Sequence, residues 1–256
     1  MYHNDITLLV DIGNTAIKWA ILQNGELQTQ QRVIHHSQEL TTLLTQYWSS
    51  IPTPMQIWIG SVAGESVQHQ ITQWILQHWQ IKPHFVQSTA RACGIKNAYI
   101  RSSQLGVDRW LSLIAAHHLF TGQLCVVDCG TAVTLDVILE NGEHQGGLIL
   151  AGLTMMQNTL LNNTATLAEL TKKQCQHDKI NLLARDTKMG IQLGSLYAVI
   201  GCIEHIMNTL AQDKQAVKLI LTGGDAPHLQ SALQYHYQYM PDLVLQGLKI
   251  MANQNL

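Results

Sequence analysis

Charge is scarce in this chain. Of its 256 residues only 12% are Asp, Glu, Lys or Arg, 15 basic against 17 acidic, and no block or stripe of one sign occurs. Nucleic-acid binding draws its affinity from clustered cations that displace counterions from phosphates, so this balance argues against nucleic acid as the main ligand. The common nucleotide loops are also missing. No Gly-Lys dipeptide occurs, which removes the GxxxxGK[ST] loop, and no two glycines are separated by one residue, which removes GxGxxG. CxxC and HExxH are absent as well. The five cysteines (Cys93, Cys125, Cys129, Cys175 and Cys202) are scattered and odd in number, as expected of reduced structural thiols in a cytoplasmic protein. Thirteen histidines include the neighbours His35-His36 and His117-His118, but adjacent side chains diverge on a helix or a strand and make poor ligand pairs. The opening MYHNDITLLV lacks the basic region and long apolar core of a secretory signal, and the uncharged stretch 144–168 is interrupted by Gln, Asn, Thr and Gly. The expectation is a cytoplasmic protein without a membrane span.

Apolar residues are plentiful, at 46%, and the length suits one large domain or two of ordinary size. Strand signals fall at residues 6–10 and 16–22, followed by the hairpin turn Asn24-Gly25, and again at 56–59, 124–127 and 219–221. Residues 68–79 carry Ile71, Trp74, Ile75 and Trp79 at helical spacing, and 108–119 repeats the pattern. Residues 187–210 read as a long apolar helix packed on a sheet. The six tryptophans (Trp19, Trp48, Trp58, Trp74, Trp79 and Trp110) read as core or interface packing.

An internal echo organises these elements. DIGNTAIKW, from Asp11, and DCGTAVTLD, from Asp128, lie about half the chain apart, and each places Asp-x-Gly and a small polar residue between two apolar runs. A repeat of that period suggests two similar α/β lobes, 1–120 and 121–256, with the boundary near residues 120–123. The repeated parts also suit a polyphosphate. Glycine admits close approach of the backbone, neighbouring N–H groups and Asn14 or Thr15 donate to oxygens, a strand-end carboxylate can hold hydrated Mg²⁺, and Lys18 adds a cation. Each motif alone reads equally well as a turn with an Asx cap. Asp108 reads equally as a helix cap, Arg109 as an ion-pair partner and Tyr99 as a half-buried packing residue, while spacing alone favours a capping role for Thr187.

Six segments in order widen the picture: DIGNTAIK at 11–18, NAYIRSSQLGVDRW at 97–110, DCGTAVTLD at 128–136, GGLILAG at 146–152, DTKMGIQLGSLYAVIG at 186–201 and TGGDA at 222–226. Together they resemble the type III pantothenate kinases, of the acetate and sugar kinase, Hsp70 and actin superfamily. The resemblance implies an α/β fold of two ribonuclease H-like, actin-like lobes with a nucleotide cleft between them. It implies ATP with Mg²⁺ at Asp11, Ile12, Gly13, Asn14, Thr15, Ala16, Ile17, Lys18 and Thr131, and a monovalent cation, K⁺ or NH₄⁺, at Asp128. Pantothenate is implied at Tyr99, Gly106, Val107, Asp108, Arg109 and Thr187, with Asp108 as general base. Gly223 and Gly224 would border the adenosine, and a homodimer is implied, with Thr187 reaching substrate at its interface. One departure stands out: Ala151 precedes Gly152 where the family commonly has proline. The rival readings are a kinase for another small alcohol and a catalytically silent relative acting as an accessory factor for transcription.

Overall fold

A computed structural model describes residues 6–35, 40–162, 182–212, 216–230 and 232–254. The chain divides into two compact units, unit 1 formed by residues 1–121, 138–146 and 242–256, and unit 2 by residues 122–137 and 147–241.

Unit 1 is built on β1 (Ile6–Ile12), which pairs antiparallel with β2 (Ala16–Gln23) and parallel with β5 (Gln56–Ser61). The sheet continues to β3 (Glu26–Leu27) beyond β2 and to β6 (His84–Phe85) beyond β5, and β4 (Gln31–Ile34) also pairs with β2. Asn24 and Gly25, at φ 53° and 78°, close the two-residue β2–β3 turn, the conformation for which Asn-Gly is selected. Neighbouring strand residues face opposite sides, so the sheet has two cores. Leu8, Val10, Ile12, Ile17 and Trp19 lie against α1 (Leu40–Trp48) and α2 (Glu65–Trp79). There Trp48 stacks on Trp79, with ring centroids 5.8 Å apart, and meets Trp74 edge-on at 5.7 Å. All six tryptophans are buried.

On the other face, Leu9, Ala20, Leu22 and Trp58 lie under α3 (Val107–Leu119) and α7 (Leu243–Gln254). Two glycines permit that layer. A side chain on Gly60 would strike Leu111 of α3, and a Cβ on Gly247 of α7 would strike the Leu111 backbone. The C-terminal helix, expected in the second lobe, is thus part of the first unit, because its Val244, Leu245 and Leu248 fill the same core as Leu9 and Leu111.

Unit 2 repeats the plan. Its central strand β9 (Gln123–Cys129) sits between β10 (Ala132–Ile138) and the parallel β12 (Val217–Thr222), in the order β11 (His144–Ala151), β10, β9, β12, β13 (Tyr237–Tyr239). This is the strand order β3-β2-β1-β5-β6 written a second time, so the echo in sequence is an echo in topology. α4 (Leu153–Asn162), α5 (Thr187–Ala211) and α6 (Ala226–Gln230) complete the unit. By length and composition α5 is apolar enough to cross a membrane. Its inner stripe of Val199, Ile200, Ile203 and Met207 joins Cys125, Val127 and Leu219 of the sheet in one core.

Four cysteines are free thiols among the described residues; Cys175 lies outside them. Burial, aided by Asp136 and Cys202, pushes Cys125 up to about 12, and burial, aided by Asp128 and Asp225, does the same for Cys129. In the unfolded chain such thiols ionise near the reference value of 9.0. Between those values the unfolded state binds fewer protons than the folded one, so stability is complete below 9 and falls as pH rises. Chemical denaturation across this range should show a loss of about 1.4 kcal/mol per thiol for each pH unit above 9. A Cys125→Ala, Cys129→Ala double variant should lose most of that slope. Gly247→Ala, which presses a methyl on the unyielding Leu111 backbone, should cost about 1–3 kcal/mol in urea titrations with an unchanged m-value.

Candidate functional site

Unit 1 presents two groups of the expected residues on one face of its sheet. The first is the β1–β2 turn. Asp11 stands opposite Lys18 across the ladder and beside Gly60 of β5. Asp11 is 7% exposed, and a buried carboxylate needs compensation, which Lys18 supplies in part with Nζ at 3.7 Å. Gly13 N–H donates to the Ala16 carbonyl at 3.0 Å, closing a turn whose tip, Asn14 and Thr15, is exposed. Ile12 and Ile17 point into the core, so these two expected contacts have only main chain to offer.

The second group surrounds the first turn of α3. Gly106 is the N-cap residue and makes no side-chain cap, while Asp108 lies in the first turn and accepts from Arg109 N–H at 2.8 Å. A Cβ on Gly106 would collide with Asp108 Oδ1, so glycine here makes room for the carboxylate. Val107 faces the core. Arg109 is only 5% exposed, in a helix turn whose dipole disfavours a cation. Its Nη1 donates to Tyr99 Oη at 2.9 Å, and its guanidinium carbon lies 5.5 Å from the Tyr99 ring centroid.

Tyr99 is itself pinned. Its N–H donates to Asn97 Oδ1 at 2.9 Å, and Asn97 Nδ2 donates to the Thr89 and Ser102 carbonyls at 3.3 Å. Its ring stacks on His144 at 6.1 Å, and His144 Nδ1 accepts from Ala98 N–H at 3.4 Å. Asn97 and His144, both buried, were not among the expected site residues. Asn97 opens one of the quoted segments, but nothing in the sequence ties His144 to Tyr99.

Unit 2 offers the echoing turn. Gly130 N–H donates to the Ala132 carbonyl at 3.0 Å, the counterpart of the Gly13 bond, and Thr131 is exposed at the tip. Three glycines crowd this turn. Gly130 lies beside Asp128 Oδ1; Gly152 donates its N–H to the Thr131 carbonyl at 3.0 Å, and a Cβ there would strike the Gly130 and Thr131 carbonyls. Gly223, at φ +92°, abuts Asp128 Oδ1 and the Cys129 carbonyl, a place that any Cβ would fill. The requirement for glycine at 152 therefore holds with Ala151 before it. Gly224 follows in the turn after β12, where Asp225 N–H donates to the Cys129 carbonyl at 2.9 Å. Thr187 is the first residue of α5, and its cap is Asp186, which accepts from Met189 N–H at 2.9 Å. Capping is thus not the task of Thr187.

Among the described residues no three His, Cys, Asp or Glu side chains cluster to hold a metal ion. The donors beside Asp128 are oxygens, from its carboxylate and nearby carbonyls, the set that hard cations take.

The chain is similar over most of its length to known proteins. The sequence model of the type III pantothenate kinase family matches residues 7–209. A type III pantothenate kinase of Nitrosococcus oceani is 38% identical over 251 residues, covering 96% of this chain and 93% of its own length. That of Paraburkholderia phymatum is 34% identical over 272 residues, covering 96% and 94%. Among solved structures, a conserved Campylobacter jejuni protein assigned to the Baf family of transcriptional activators superposes with a TM-score of 0.58 at 20% identity, covering 97% of this chain and all (100%) of its own. A glucokinase from an Antarctic psychrotroph gives 0.50 at 12% identity, covering 98% and 99%. At such identities the structural likeness speaks for the fold alone, the actin-like α/β fold of the sugar kinases. The family match extends from the first strand–turn–strand through α5 and takes in both glycine-lined turns and the Tyr99–Arg109 cluster: the chain belongs to the type III pantothenate kinase family.

Proposed function

We propose that this chain transfers the γ-phosphoryl group of ATP to the primary hydroxyl of pantothenate, giving 4′-phosphopantothenate, the first step of coenzyme A biosynthesis. The reading rests above all on the family match over residues 7–209. The Tyr99–Arg109 cluster adds a buried cation for an anionic acceptor, which a phosphate turn alone does not supply. Pantothenate carries a carboxylate, and a guanidinium already oriented by Tyr99 binds one with little reorganisation.

The residues divide the work. Main-chain N–H groups of 11–18, with Asn14, Thr15 and Lys18, bind the triphosphate, and Thr131 is a further phosphate donor. Mg²⁺ travels with ATP and offsets the charge on the transferring group. Asp128 would hold K⁺ or NH₄⁺ through its carboxylate, helping to neutralise the triphosphate. Asp108 orients the acceptor hydroxyl and takes its proton late, which a weak base can do because the transition state is loose. Tyr99, Gly106, Val107 and Arg109 position pantothenate. Thr187, relieved of capping, contributes across a homodimer. Tyr197 on α5, Leu148 and Ile149 on β11, and Met155 and Leu160 on α4 are exposed apolar residues available to that contact. The cytoplasm, where ATP is made, is the matching compartment.

A coupled assay for ADP release, run with and without pantothenate, tests the whole reading: release dependent on pantothenate supports it, and release with other alcohols but not pantothenate overturns it. Asp108→Asn should lower kcat by about 10²–10⁴-fold with ATP affinity largely retained; turnover at the parent rate would remove Asp108 from the base role. Asp128→Ala should abolish the difference between rates measured in potassium and in sodium salts.

A further inference from the structure

We infer that His35 is a positioning residue for the phosphate-binding turn, its imidazole fixing the direction of the Gly13–Asn14 peptide. The inference rests on the proposal that residues 11–18 bind the triphosphate. It begins with register. β4 pairs with β2 so that Ala16 lies opposite Ile34 and Lys18 opposite Arg32, and the next step brings His35 opposite Thr15, at the tip. There His35 holds the turn twice. Its main-chain N–H donates to the Thr15 carbonyl at 3.0 Å, and its ring nitrogen Nε2 lies 3.0 Å from the Gly13 carbonyl. A carbonyl only accepts, so Nε2 carries the hydrogen. The residue is 6% exposed, and among the described residues Nδ1 has no partner, so Gly13 receives the one hydrogen bond that the ring makes. Burying an imidazole for one bond to a turn carbonyl is a costly way to pack a sheet edge. It is a direct way to hold a peptide plane.

The plane matters because of what is on its other side. In a trans peptide the C=O and N–H point in opposite directions, and the described chain has no cis bonds. Drawing the Gly13 carbonyl towards His35 therefore turns the Asn14 N–H away from it, outward at the exposed tip. Glycine makes the opposite orientation accessible, since rotation of a peptide beside it meets no Cβ. A flipped peptide would present a carbonyl oxygen where phosphate needs a donor. His35 selects between the two orientations, which a glycine turn by itself does not do.

Steady-state kinetics and calorimetric ADP binding on His35→Leu, His35→Gln and His35→Asn, with Asp11→Ala as reference, test this. Glutamine can carry its amide N–H to the Nε2 position; asparagine reaches only as far as Nδ1. His35→Leu should raise KM for ATP and Kd for ADP about tenfold, the scale of one lost hydrogen bond, and leave KM for pantothenate within about twofold. His35→Gln should recover most of that loss and His35→Asn should not. Where His35→Leu is not recovered folded, the Gln and Asn pair carries the same comparison. Equal rises for both substrates, no rise for ATP, or recovery by Asn but not Gln would each overturn the inference. If Asp11→Ala weakens ADP binding and His35→Leu does not, His35 alone loses its role. If Asp11→Ala leaves ADP binding intact, the phosphate reading of the turn fails first.

Discussion

Helix α3 can lie directly on the sheet of unit 1 because two side chains are missing, at Gly60 beneath it and at Gly247 beside it, and both absences are filled by Leu111. Gly60 is the register partner of Asp11, and Leu111 is one helical turn beyond Asp108. One close contact therefore sets the proposed base and the proposed phosphate turn on a common face. Larger residues at either glycine would lift the first turn of α3, and with it Asp108 and Arg109, away from the strand ends. Packing density in this layer is a condition of the chemistry, and not only of stability.

The two units show how one plan serves different ends. Both have a central strand, an antiparallel neighbour, a parallel neighbour and a glycine turn closed by a bond to an alanine carbonyl. Unit 1 supports its turn with side chains, Lys18 and His35. Unit 2 supports its own with main chain, at Gly152 and Gly223, approaching until no Cβ would fit. The first arrangement sets a cation beside Asp11 and an imidazole against the Gly13 carbonyl. The second gathers a carboxylate and main-chain carbonyls tightly around glycine backbone.

Much of this was legible in the residues. Each strand expected from an apolar run is present, Asn24-Gly25 turns as its residues require, and the helices at 68–79, 108–119 and 187–210 occur with slightly different ends. The duplicated Asp-x-Gly pattern led to the duplicated sheet. What escaped notice depended on tertiary contact. The sequence 243–254 has no mark that assigns it to the first sheet instead of the second; only the fit of Leu245, Gly247 and Leu248 decides that. His144 reaches Tyr99 through a hairpin distant in sequence. His35, set aside as half of an adjacent pair, acquires its meaning from the β2–β4 register, which no local pattern encodes. The helix caps fall one or two residues before the expected positions, at Gly106 for Asp108 and at Asp186 for Thr187, because Ser, Thr, Asp and Gly all serve at helix starts.

The placement of α7 has a bearing on how the molecule is made. Translation delivers the first sheet early, then all of unit 2, and only afterwards the helix that covers Leu9, Trp58 and Leu111. The lobe begun first is thus the lobe finished last, and the ground on which Asp108 stands stays open while the remainder of the polypeptide leaves the ribosome. In nascent chains α3 alone can cover this apolar face until more than a hundred further residues have been made, and exposed apolar surface of that kind favours association between incomplete chains.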